Sequence, residues 1–388
     1  MNLDTIVSYC FSSPDGDVVV DAATMDCPFV VRPFENHPFM SLGDYFTAVK
    51  DFILEEGGRS LAGVLSGHRG RDVSPGEIDR IVIRYEKYGT LYQICSVDVL
   101  VGERKTKVAV SAAISARAKE TLDGEFDLLR QLNRQPYPYL PRVYRKQAVI
   151  VRKQAGVETL LMSLSEWFDG YHEWHFSRGA EGRQGVVIWD MGGGYRFASK
   201  REAYEIIRQA SRILTLYFNT RTHQRIHPWH HGAGDFVVKT SDGAVDVRLV
   251  TARGYVPLVL SREDQETGHL RALCLFLLEL SVRMRLDKRE GMGESTWADA
   301  SILPAVIEGA LGALSDKGRE DGPEAVRVER LVSLLKSLTE DEIRAWLLSR
   351  LEEYRQHDES DHAVIAAHVD EHAHSLCEVW AQAPARSA

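Results

Sequence analysis

The chain lacks paired cysteines. Its five (Cys10, Cys27, Cys95, Cys274 and Cys377) are odd in number, scattered and never in CxxC spacing, which argues against a disulfide framework and for reduced thiols. It also lacks a basic excess, with a net charge of −9 over 388 residues. Nucleic-acid grooves concentrate Lys and Arg, so no nucleic-acid partner is expected. Long apolar runs are missing as well. The longest, around Ala272–Leu278, falls well short of the ~20 residues of a membrane span, so no membrane partner is expected. The N-terminal segment carries acidic groups without the basic region of a secretory leader. No internal repeat, heptad pattern or low-complexity tract stands out. With 44% hydrophobic and 27% charged residues, the chain reads as an ordinary globular protein of the cytoplasm, large enough for two or three cores.

What is present centres on residues 226–249, IHPWHHGAGDFVVKTSDGAVDVRL. A His-rich loop leads into a short strand, Phe236–Lys239, a turn at Ser241-Asp242-Gly243 and a second strand, Ala244–Leu249. Asp235 opens the first strand and Asp246 lies inside the second, and the two carboxylates are expected to converge at one end of the hairpin. Hard oxygens beside imidazoles suit a Mg²⁺-phosphate site. On the plainer reading, Asp235 caps a turn and Asp246 is an ordinary polar strand position. His227, His230 and His231 also offer zinc ligands, with no cysteine or third spaced ligand group beside them. His230 alone offers a general base whose ordinary pKa lies near neutrality.

Upstream, Ile78–Tyr85 and Leu91–Val101 read as strands joined by a turn at Lys87-Tyr88-Gly89, and Lys107–Ile114 as a third strand. Leu122–Leu132 is helical by period, with Leu122, Phe126, Leu129 and Leu132 along one stripe. Leu160–Trp167 reads as a buried strand ending in EWFDG. Ser199 is placed to cap a helix in which Ala203, Ile206, Ile207, Ala210, Ile213, Leu214 and Tyr217 repeat at helical spacing. The apolar helix Ala272–Leu280 follows the hairpin.

This order of elements resembles the protein-kinase-like superfamily, which includes protein kinases and the aminoglycoside and choline phosphotransferases. The likeness covers residues 75–315. It implies an α+β, bilobal fold, with ATP and Mg²⁺ as cofactors. By position, His230 falls where the family has its catalytic-loop Asp, and Asp235 where an Asn holds metal. Asp246 falls at the metal-binding Asp of the following hairpin strand, with Val247-Arg248 in place of Phe-Gly. Gly89 stands in the glycine-rich turn, and Ser111 of VAVS replaces the phosphate-binding lysine of VAIK. Glu125 is the residue that normally pairs with that lysine, and Lys105, Lys107 and Lys119 are the nearby substitutes. Backbone groups of Glu166 to Phe168 would face an adenine. Loss of the lysine, the Asp base and the glycine-rich loop together implies a pseudokinase-type protein that binds nucleotide or a partner with little or no phosphoryl transfer. Two alternatives stand beside it. One is an atypical Mg²⁺-dependent phosphotransferase acting on a small molecule or protein, and the other is a non-enzymatic interaction module of an assembly.

The expected segments are a ββα unit at 1–70, an N-lobe at 75–165, a C-lobe at 166–315 and C-terminal helices at 316–388. In the first, short strands at Ile6–Phe11, Asp17–Val20 and Phe29–Val31 precede a helix, Leu42–Glu56, capped by Ser41 and closed by Gly57-Gly58. Ser66–Gly76 reads as a linker. The C-lobe carries a hairpin insertion at 170–197, with metal-capable His172, Glu173 and His175, a strand Val186–Asp190, and Gly192-Gly193-Gly194 as a weak phosphate cradle. At the C-terminal end, Glu324–Leu338 is helical, a capping box at Thr339–Glu342 opens the next helix, and a last helix at about Asp361–Trp380 sets His368 and His372 one turn apart. The terminal AQAPARSA is expected to fray.

Overall fold

The computed structural model describes residues 3–32, 35–89, 91–179, 182–190, 193–231, 234–258, 268–288, 293–320, 328–357 and 359–383. The fold is mixed α+β, with several sheets followed by a C-terminal helical region. The chain divides into two units, residues 1–136 with 141–169, and residues 137–140 with 170–388.

The first unit begins with β1 (Val7–Phe11), β2 (Val18–Val19), a single helical turn α1 (Ala22–Met25), β3 (Pro28–Arg32) and β4 (Glu35–Ser41), then α2 (Leu42–Arg69). There follow β5 (Arg80–Tyr88), β6 (Gln93–Val101), β7 (Arg104–Ala113), α3 (Ala116–Leu132), β8 (Val143–Lys153) and β9 (Gly156–Glu166). Seven strands make one sheet in the order β2-β1-β5-β6-β7-β9-β8. Period-two burial decides its faces. Ile81, Ile83, Cys95, Val97, Val99, Val108, Val110, Leu160, Met162 and Leu164 pack on the apolar face of α2, where Tyr45, Phe46, Val49, Phe52, Ile53 and Leu61 are buried. The smaller helix α3 sets Ala118 and Leu122 against Ala113 and Leu161.

Residues 1–70, read from the sequence as a unit of their own, are part of this architecture. β1 pairs in parallel with β5, Val7 opposite Ile81, and α2 supplies a large share of the core. Gly57-Gly58 does break α2, since Glu56, Gly57 and Gly58 all have positive φ. The chain then re-enters helix to Arg69 and ends on left-handed Gly70, so the first residues of the expected linker are helical.

The second unit contains β10 (His172–Arg178), β11 (Gln184–Asp190), β12 (Gly194–Phe197), α4 (Lys200–Leu216), β13 (Gln224–Ile226), β14 (Phe236–Ser241), β15 (Ala244–Leu249) and β16 (Tyr255–Pro257). After these come α5 (His269–Arg285), β17 (Leu286–Lys288), β18 (Ser295–Trp297), α6 (Leu303–Glu320), α7 (Val328–Ser337), α8 (Glu340–His357) and α9 (Glu359–Gln382). A five-stranded sheet runs β12-β11-β10-β14-β15. The expected insertion at 170–197 is therefore integral: β10 hydrogen-bonds to β14, His172 opposite Val238. Ser199 and Glu202 close a capping box on α4. The Gln209 amide of α4 then bonds Val245 O at 2.7 Å and Val247 N at 3.0 Å along β15, which occupies that sheet edge. The Thr339 capping box is formed, with the Glu342 amide on its hydroxyl at 3.3 Å. Residues 324–327 and 384–388, parts of the expected helix start and frayed tail, lie outside the described residues.

Candidate functional site

The His-rich loop after β13 turns back through the Asp235 carboxylate. Asp235 is 1% exposed. Its Oδ2 accepts the backbone N–H of His230 at 2.7 Å and Arg253 Nη1 at 2.8 Å, and its Oδ1 accepts Arg253 Nη2 at 2.6 Å. This is a bidentate fork, the strongest geometry for an Arg–carboxylate pair. The structure thus brings His230 and Asp235 together, through the loop backbone.

Asp246 does not join them. In the hairpin, Phe236 pairs with Leu249 and Lys239 with Asp246, which puts Asp246 about 10 Å along the strand from the Asp235 end. Val247 and Leu249 face the core, and Asp246 and Arg248 face the other way. The Asp246 Oδ2 is held by Tyr171 Oη at 2.7 Å and Arg248 Nη2 at 2.8 Å. The expected convergence of carboxylates fails for reasons of register and strand alternation.

Among the described residues, the metal-capable side chains that do converge are His230, His231 and Asp287, one potential ligand atom from each lying within 4.8 Å of the others. Asp287 is the middle residue of β17 and is 0% exposed. Its Oδ2 accepts the Phe176 amide, and its Oδ1 accepts the Lys288 amide at 2.7 Å. His231 Nδ1 lies 3.4 Å, and His230 Nδ1 3.9 Å, from that same Oδ1. The His231 ring is stacked on Trp174, centroids 4.9 Å apart. Burial, with the neighbouring His231, pushes the His230 imidazole down to about 4 despite the opposing pull of Asp287. Burial alone would raise the Asp287 carboxyl, but the neighbouring His231 and the Phe176 amide outweigh it and hold it low.

The other candidate ligands are placed elsewhere. His227 Nδ1 lies 3.8 Å from Glu279. His172 is 3.8 Å from Asp190, and His175 packs edge-on to Trp189 at 4.4 Å. His368 bonds the Val364 carbonyl within its own helix, whereas His372 bonds Ser281 at 3.0 Å and Arg285 at 3.1 Å. His368 and His372 therefore share no ligand position. Gly192 of the triple glycine lies outside the described residues, and the Gly193 amide is taken by Asp190 Oδ1 at 2.9 Å.

Gly89, Ser111, Glu125, Glu166 and Phe168 all belong to the first unit. The Gly89 amide closes a turn on Tyr92 O at 2.7 Å. Ser111 pairs with Ile94 on one side and Ser163 on the other. Glu125 is 6% exposed and accepts Tyr92 Oη at 2.9 Å. The nearby lysines are engaged with other carboxylates: Lys105 with Asp98, Lys107 with Glu86 and Lys119 with Glu158. Glu166 uses its backbone N–H on Arg142 O at 2.8 Å and its side chain on the Arg142 amide at 3.1 Å. Phe168 follows β9 and is half-buried.

Two residues of the site, Arg253 and Asp287, carry no local sequence signal, since each meets its partner from a distant segment. No protein-family model matches the chain, and no curated protein matches it.

Proposed function

We propose that this is a kinase-like protein that does not transfer phosphoryl groups and acts by binding a partner protein or small molecule. The observation that carries the reading is the Arg253–Asp235 fork. A buried carboxylate whose two oxygens are both taken by a guanidinium is neutralised, and a Mg²⁺ ion would have to displace that guanidinium to bind it. Other features agree with it. Asp246 is held by Arg248 and Tyr171, and Glu125 is bonded by a tyrosine hydroxyl where the family has a lysine. His230 is buried and neutral, with its backbone committed to Asp235. The kinase-like part of the reading is supported by the order of three strands, a helix carrying Glu125 and a strand reaching Glu166, with the strands in one sheet. Phosphoryl transfer depends on positioned metal and charge, so each of these substitutions removes transition-state stabilisation.

The test is transfer of labelled γ-phosphate from ATP with Mg²⁺ to a panel of small-molecule and protein acceptors. No transfer above the protein-free background is expected, and Asp246→Asn should leave that result unchanged. Turnover that is lost in Asp246→Asn would overturn the reading in favour of an atypical phosphotransferase.

A further inference from the structure

We propose that His230, His231 and Asp287 bind a divalent transition metal of the zinc class. The first argument is one of donors and acceptors. His231 Nε2 lies 3.2 Å from the Met284 carbonyl oxygen. A carbonyl only accepts, so Nε2 carries the hydrogen, and in the neutral ring Nδ1 then presents a lone pair. That lone pair faces Asp287 Oδ1 at 3.4 Å. Two buried acceptors at this distance require a positive group between them.

A second proton on His231 would satisfy this one pair. It would leave His230 as it is, with both ring nitrogens buried and without a hydrogen-bond partner among the described residues, and with Nδ1 3.9 Å from the same carboxylate oxygen. A metal ion satisfies all three residues at once, and their ligand atoms already lie within 4.8 Å of one another.

The surroundings match those of a ligand set. A metal-bound imidazole commonly donates its other N–H to a backbone carbonyl, and a ligating carboxylate is itself hydrogen-bonded. Met284 O takes the first role, and the Phe176 amide on Asp287 Oδ2 takes the second. Trp174, stacked at 13° to His231, fixes the ring plane. Two imidazoles and one carboxylate suit Zn²⁺ and disfavour Mg²⁺ or Ca²⁺, which take oxygen ligands. Three protein ligands leave a fourth position open. The ion would tie the loop before β14 to β17 and, through Phe176, to β10. The inference does not depend on the kinase-like reading.

The test is metal analysis of the full-length protein, exposed to ZnCl₂ and then desalted. Wild type should retain about one equivalent of zinc, and its melting temperature should fall on chelation and recover with ZnCl₂ alone. His230→Gln and Asp287→Asn should each retain much less zinc and show no recovery. Should either variant fail to fold, wild type loaded with Co²⁺ provides a second readout, namely the visible absorption of a four-coordinate nitrogen-ligated ion. Wild type that retains no zinc and gives no Co²⁺ band would overturn the proposal, as would a His230→Gln variant that binds as wild type does.

Discussion

Asp235 shows what residue spacing reveals and what it hides. Its position five after His230 marks it as part of a loop-and-strand site, and the structure does couple the two, but by a backbone amide. The residue that determines its chemistry, Arg253, lies 18 positions downstream in an irregular segment, where no periodicity or motif announces it. Asp287 is hidden in the same way, 57 positions from His230. His372 is the reverse case: a histidine whose helical spacing sets it one turn from His368 is fully buried beside Arg285. Burial, and then that guanidinium, push its imidazole down to about 3. Ser281 and Arg285 of α5 and Trp297 of β18 face it, and neighbouring Glu371 pairs with Arg285. In the unfolded chain the ring protonates near the ordinary value of about 6.5. The sign follows: the stability associated with the neutral ring is complete above pH ~6.5 and is lost as pH falls towards about 3. Urea unfolding across this range should show His372→Gln losing less stability than wild type, by about 2–3 kcal/mol near pH 4.5. Parallel pH profiles would contradict the assignment.

Among the elements, those with a strong apolar period were legible. The core strands β5, β6, β7 and β9 are rich in buried apolar and β-branched residues, and α3, α4 and α5 carry continuous stripes. β8 was not, because an edge strand bearing Arg145, Lys146, Gln147, Arg152 and Lys153 has a polar pattern that hides its pairing with β9. The second half of α2 was hidden behind Gly57-Gly58, which stops a helix but does not prevent another from starting. In α6, glycines that lower helix propensity mark a helix crossing. A Cβ at Gly309 would lie 2.0 Å from the Arg208 carbonyl oxygen of α4, and close by, Ser211 Oγ donates to Val306 O at 2.6 Å. Gly309→Ala should therefore destabilise the protein by about 2 kcal/mol or more, through overpacking against backbone that has no rotamer to change. Chemical denaturation measures it. A variant as stable as wild type would show that the crossing relaxes freely.

For the whole molecule, the α+β class and the helical C-terminal region were legible from element order. The sharing of one sheet by residues 1–70 and the later strands was not, because the β1–β5 pairing joins residues more than seventy positions apart and parallel pairing has no turn signal. Among the described residues, no helix is long and apolar enough to cross a membrane. The proposed function rests on one electrostatic observation, that Asp235 and Asp246 are held by arginines rather than left open to a cation. Calorimetric titration of ATP into the full chain, once with Mg²⁺ and once with EDTA, tests this most directly. The account predicts the same isotherm in both conditions, because no Mg²⁺ bridges nucleotide to Asp235 or Asp246. Binding that appears only with Mg²⁺, and disappears in Asp246→Asn, would contradict it.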